Sequence, residues 1–218
     1  MRKLFYFLAS LFALTFVSCG DIFGDVTRIY GTGNIMSETR NLESFHSIES
    51  RMGADINIIQ SNTSYIEIEA QENLLDIMKT EVKNGKLIIH FGKYNVQTSK
   101  SIRINVYCRQ AESFELYGAG RIVSEFPLSY INISGAGNVN CRGTGQNVNI
   151  RINGAGTVDL FDMQVENADV RISGNGTVYV KATNKLDVRI SGAGNVYYLG
   201  LPEVTKTISG IGNVISRN

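Results

Sequence analysis

The chain has 218 residues, 43% hydrophobic and 19% charged, which suits an ordered protein of one domain or one elongated repeat array. Its 21 basic and 20 acidic residues leave a net charge of +1, so composition gives no support for nucleic acid or an anionic lipid surface as partner. With 22 glycines against 2 prolines, the chain is rich in tight corners rather than in disordered linker.

The first element in chain order is a leader. Met1-Arg2-Lys3 is a short positive region, and Leu4 to Val17 is an apolar run. Fourteen residues rise only about 21 Å as a helix, short of the ~30 Å hydrocarbon core. A signal peptide over residues 1–18 therefore fits better than a spanning helix. The run ends Val17-Ser18-Cys19-Gly20, which resembles a bacterial lipobox. That resemblance implies cleavage before Cys19 and acylation of its thiol and new amino terminus, with palmitate among the chains. Two or more acyl chains, each worth ~0.8 kcal/mol per buried methylene, hold a protein stably at a membrane. Residues 19–27 are then a lipidated tether. Gly20 rather than Asp after the cysteine favours the outer membrane, facing either the surface or the periplasm.

From about residue 28 the chain alternates polar and apolar residues, as one-sided strands do. Examples are Ile56-Asn57-Ile58, Tyr65-Ile66-Glu67-Ile68-Glu69 and Ile102-Arg103-Ile104-Asn105-Val106. Asn73 to Met78 has the length of one helical turn. Asn84-Gly85, between two apolar runs, predicts a tight hairpin. Cys108 and Cys141 both fall on the apolar phase of their strands and read as small buried hydrophobes, although an exported protein can pair two such cysteines. No cysteine–histidine cluster points to a metal, and no cofactor motif is present.

The strongest signal covers residues 117–218. Gly-x-Gly recurs at Gly118, Gly135, Gly154, Gly174, Gly192 and Gly210, at intervals of 17, 19, 20, 18 and 18 residues. Two residues before each first glycine stand Leu116, Ile133, Ile152, Ile172, Ile190 and Ile208. Four after stand Ile122, Val139, Val158, Val178, Val196 and Val214. Each repeat is strand, glycine corner, strand, the glycine allowing positive φ or close approach. About 18 residues per repeat makes one coil of a single-stranded parallel β-helix, an all-β solenoid whose equivalent residues stack in columns about 4.8 Å apart. The crossover rule favours a right-handed coil. Lys206 interrupts one apolar column in the last copy, which reads as a terminal coil. Such an end offers an edge for another subunit in a homo-oligomer such as a trimer.

The lipobox, Phe45-His46-Ser47-Ile48, Gly53-Ala54-Asp55-Ile56, Asn84-Gly85-Lys86-Leu87 and the repeated Ser-Gly-Ala-Gly-Asn-Val copies resemble the head GIN domain of auto-transporter adhesins, a family common in Bacteroidetes. The resemblance covers nearly all of residues 28–218. It implies a β-helix similar to the pectin-lyase-like superfamily, without that superfamily's catalytic residues, and adhesion at the cell envelope. It carries over no ligand residue.

The outward columns supply the site candidates. Arg151, Arg171 and Arg189 stand three residues before their glycines, and Asn149, Asp169 and Asp187 stand five before. Positions i and i+2 of a strand share a face, so an arginine column runs beside an aspartate column. Its functional reading is a surface for acidic glycan or a lyase-like Asp/Arg centre; the plainer one is a solvated, charge-compensated face. Tyr179 and Tyr197 share another outward column, as sugar-stacking rings or as edge packing. Asn138, Thr157, Thr177, Asn195 and Asn213 form a column with the makings of a hydrogen-bond ladder. The two histidines, His46 and His90, sit in no ligand or triad spacing. The functional expectation is a non-enzymatic envelope lipoprotein that adheres to a glycan or to a host or envelope protein. An assembly component of an envelope complex and a polysaccharide lyase are the alternatives.

Overall fold

Ile133, Ile152, Ile172 and Ile190 stack in register, one per coil, and each is at most 1% exposed. This column and its neighbours form the core of a β-solenoid, seen in a computed structural model that describes residues 27–218. The expected signal peptide over residues 1–18 and the expected acylation site Cys19 lie outside the described residues.

In chain order the first part holds β1 (Arg28–Tyr30), β2 (Ile35–Asn41), β3 (Ser47–Ser50), β4 (Asp55–Gln60), β5 (Tyr65–Gln71), the short helix α1 (Glu72–Leu75), β6 (Lys79–Lys83), β7 (Lys86–His90), β8 (Asn95–Gln97) and β9 (Arg103–Cys108). The second part holds β10 (Ser113–Leu116), β11 (Ala119–Ser124), β12 (Tyr130–Ile133), β13 (Ala136–Cys141), β14 (Gly143–Ile152), β15 (Ala155–Ile172), β16 (Asn175–Ile190), β17 (Ala193–Leu199), β18 (Glu203–Ile208) and β19 (Ile211–Ser216). From β10 onward each coil pairs in parallel with the next, as the repeat predicts. The second apolar column runs through Ile122, Val139, Val158, Val178 and Val196, all fully buried.

The first part departs from a simple continuation. The coil built from β3 and β4 lies between the coil of β7 and β9 and the coil of β10 and β11. The chain thus lays down its second coil first, returns to make the outer one, then passes over to the third. Three strand pairings are antiparallel: β2 on β5, β5 on β9, and β6 on β7. They cap this end of the stack, and their charged residues, including Glu38, Arg40, Lys79 and Lys83, leave poor edges for further pairing. The β6–β7 hairpin turns at Asn84 (φ 52°) and Gly85 (φ 72°), two successive left-handed residues as a two-residue turn requires. The helical turn falls at Glu72–Leu75. Arg40 closes it, donating to the carbonyl oxygens of Leu75 (2.9 Å) and Met78 (2.8 Å) while pairing with Glu38.

The repeat glycines answer a need for close approach. In the corners at Gly135, Gly154, Gly174, Gly192 and Gly210, a β-carbon would overlap the carbonyl oxygen of the equivalent glycine one coil earlier, yet none of these residues has positive φ. Opposite the capped end, β18 and β19 pair on one side only among the described residues. Lys206 and Ile208 there are exposed, and Ile211 is 81% exposed.

Candidate functional site

The arginine column forms as the spacing predicts. Arg151 stands opposite Arg171 on β15, and Arg171 opposite Arg189 on β16, with Asn149, Asp169 and Asp187 aligned beside them. Like charges this close repel, and the structure offsets them within each strand. Arg171 grips Asp169 with two bonds, Nε to Oδ1 at 3.1 Å and Nη2 to Oδ2 at 3.2 Å. Arg189 Nη2 donates to Asp187 Oδ2 at 3.1 Å. Both arginine side chains stay about half exposed, at 44% and 50%, so these pairs contribute little stability and leave donors facing solvent. Arg151 differs. Its same-strand neighbour is the neutral Asn149 (3.3 Å), and its guanidinium lies 5.8 Å from the ring centroid of Tyr130. Its charge is therefore the least compensated of the three.

The same column changes sign along the rod. Before Arg151 it passes through Asn132, Glu115 and Glu49. Glu49 is 5% exposed and pairs with Arg51 and with Lys86 Nζ at 3.2 Å; Lys86 also reaches Glu115 at 2.6 Å. Burial acts to raise the Glu49 pKa, but hydrogen bonds from Arg51 and Lys86 outweigh it and hold the carboxyl below its ordinary value. Sequence spacing shows Glu49 beside Arg51. Lys86 joins them only because β7 stacks on β3.

Tyr179 and Tyr197 also meet, in register and stacked with centroids 5.1 Å apart. Phe161 meets Tyr179 edge-on at 5.2 Å, and the Arg217 guanidinium covers Tyr197 at 4.6 Å. This row stands in the strand segments after the glycine corner, whereas the arginine column stands in those before it. The two candidates are separate surfaces. The Asn/Thr column bonds side chain to side chain only at its last step, Asn213 to Asn195 (3.3 Å). A fuller ladder runs elsewhere, from Asn184 to Asn167 (2.8 Å) and from Asn167 to Asn147 (2.9 Å). Sequence spacing does not reveal it, because irregular pairing near residues 160–167 shifts its register.

Cys108 and Cys141 are free and buried. Their strands are separated by β4 and β11, three strand spacings or roughly 14 Å, beyond the reach of a disulfide. Burial pushes their thiols up, to about 11 for Cys108 and about 12 for Cys141. His46 lies 3.6 Å from Glu112 and His90 3.4 Å from Glu81, each an exposed or half-exposed pair. Among the described residues, no group of three or more His, Cys, Asp or Glu is placed to hold a metal ion.

Comparisons with known proteins agree with this architecture. The chain is similar to a "putative adhesin" of Bacteroides fragilis at 18% identity and TM-score 0.66, covering 86% of this chain and 99% of that one. It is similar to another from Parabacteroides merdae at 19% identity and TM-score 0.58, covering 88% and 100%. A "putative lipid binding protein" of Parabacteroides distasonis shares 24% identity at TM-score 0.50, covering 88% and 100%. At these identities the likeness shows the fold alone. No curated protein matches the chain. The family model described as "Putative auto-transporter adhesin, head GIN domain" matches residues 44–133 and 129–202, and the chain belongs to that family.

Proposed function

We propose that this protein is a lipid-anchored, non-enzymatic adhesion module of the bacterial cell envelope, held at the outer membrane through Cys19. In this reading the solenoid is a rigid rod, and the face carrying Arg151, Arg171 and Arg189 is its ligand surface. Acidic glycan is the ligand class. The observation that carries this is Arg151: three guanidiniums stand in register, but the first lacks the aspartate that its neighbours have. An acidic sugar can pair there without displacing an internal carboxylate, and the planar guanidinium suits a carboxylate or sulfate.

The test has two arms. Cys19→Ala should release the protein from the membrane fraction; unchanged retention refutes the anchor. Acidic polysaccharides such as polygalacturonate and heparin should bind the full chain, and replacing all three arginines with Ser should weaken binding at least tenfold. Undiminished binding refutes the site. Release of unsaturated sugar ends from a uronate polymer overturns the non-enzymatic reading.

A second reading, an assembly component of an envelope complex or a homo-oligomer, draws on the open end of the rod. Leu201, at 89% exposed, and Ile211 stand there beside strands paired on one side only. Specific capture of one envelope protein, with no glycan bound, would favour it.

A further inference from the structure

Away from the arginine face, near the capped end, lies a cleft of about 700 Å³. Its floor is formed by the corners of two adjacent coils, residues 52–55 and 118–120. Because Gly53, Gly118, Ala119 and Gly120 carry at most a methyl group, this floor is almost bare backbone. Of the apolar side chains at the cleft, Met52, Ala54, Phe91 and Ile102 are buried and Val96 is partly buried. One wall is the segment from Phe91 to Ile102, which includes β8.

That wall is held firmly. β8 pairs with β1. The Thr98 hydroxyl donates to Gln71 Oε1 at 2.6 Å and accepts from the Lys100 amide at 3.0 Å. Asn95 and Gln97, two residues apart on β8, share one face and are both exposed at the cleft. Neither side-chain amide is engaged by another described residue. Tyr94 adds a half-buried ring, and Asp55 and Lys100 add one charge of each sign. Arg51 also lines the cleft, but its guanidinium is already bonded to buried Glu49.

We propose that this cleft binds a short neutral oligosaccharide. Free planar amides, a carboxylate and a phenol ring supply paired donors and acceptors for sugar hydroxyls and a surface for a ring face. The charges nearly cancel, so the cleft lacks the uncompensated cations that an anionic ligand needs. The volume lies within the ~300–1,000 Å³ of small-molecule sites. A wall already fixed by Thr98 spares the cost of ordering it on binding. The site is independent of the arginine surface and stands or falls separately from it.

The test titrates the full chain in detergent with maltotriose, cellotriose, xylotriose and chitotriose, by calorimetry. At least one should bind. Asn95→Ala with Gln97→Ala should weaken that binding at least tenfold. So should Gly53→Leu, which puts bulk on the floor at a position where the nearest atom to a β-carbon is 3.5 Å away, an ordinary contact. Replacing Arg151, Arg171 and Arg189 with Ser should leave it unchanged. Melting temperatures of all variants check that they fold. Absence of binding to all four sugars overturns the proposal. So does binding that survives the cleft substitutions in folded protein, or binding that is lost with the three arginines.

Discussion

Gly154 lies so close against Gly135 of the preceding coil that a β-carbon on Gly154 would overlap the Gly135 carbonyl oxygen. The Ala155 amide, next along the chain, donates to that same oxygen at 2.9 Å. The corner can therefore tighten only where no side chain intervenes. Gly154→Ala should cost about 3 kcal/mol, the upper range for overpacking, because backbone rather than a flexible side chain must yield. Gly53→Ala, with 3.5 Å of clearance, should cost far less. Urea unfolding of the two variants provides the comparison.

The buried isoleucine column should show the same dependence on position. Ile152 is fully buried with a coil on either side, and Ile152→Ala should cost about 2–5 kcal/mol. Ile208, 38% exposed with a coil on one side only, should cost clearly less. Equal losses would mean that the last coil is covered in solution.

The two internal thiols should be inert in the folded state. Burial raises Cys108 to about 11 and Cys141 to about 12, so almost no thiolate exists at pH 8. Iodoacetamide at that pH should leave both unmodified in native protein and modify both in denaturant. Peptide mapping should find no Cys108–Cys141 disulfide.

Acid should weaken the Glu49 cluster in a defined direction. Glu49 and Glu38 both titrate below their ordinary value of 4.5 in the folded protein. A depressed carboxyl contributes stability that is present above the unfolded value and is lost as pH falls through the folded one. Stability should therefore hold near neutrality and decline below about pH 4.5. Glu49→Gln should cost about 2 kcal/mol at pH 7, by loss of charged hydrogen bonds to Arg51 and Lys86, and should flatten the acid decline. Urea midpoints measured from pH 7 down to pH 3 test both expectations.

Much of the site was legible because the second half repeats. One coil there sees mainly the coils before and after it, so period-two alternation and glycine spacing place Arg171 over Arg189 and Tyr179 over Tyr197 without long-range knowledge. The pairing of Arg171 with Asp169 and of Arg189 with Asp187 follows from the same alternation. Phe161 and Arg217 were not legible as parts of the aromatic row. Phe161 meets Tyr179 edge-on from two positions beyond the row's own register, and Arg217 reaches back across a coil to Tyr197.

By itself, the sequence determined the solenoid, its apolar columns and its glycine corners, because each depends on residues a fixed interval apart. Only the tertiary structure decided the order of the first coils. Alternation at Ile56-Asn57-Ile58 or at Ile102–Val106 marks a strand with one buried face, but it carries neither the direction nor the identity of the neighbour. Pairing β4 between β9 and β11, and setting β5 antiparallel on β9, joins segments dozens of residues apart. The same non-local order stacks β7 on β3, which brings Lys86 to Glu49, and carries the 91–102 segment over the glycine corner, and so creates both the charged cluster and the cleft.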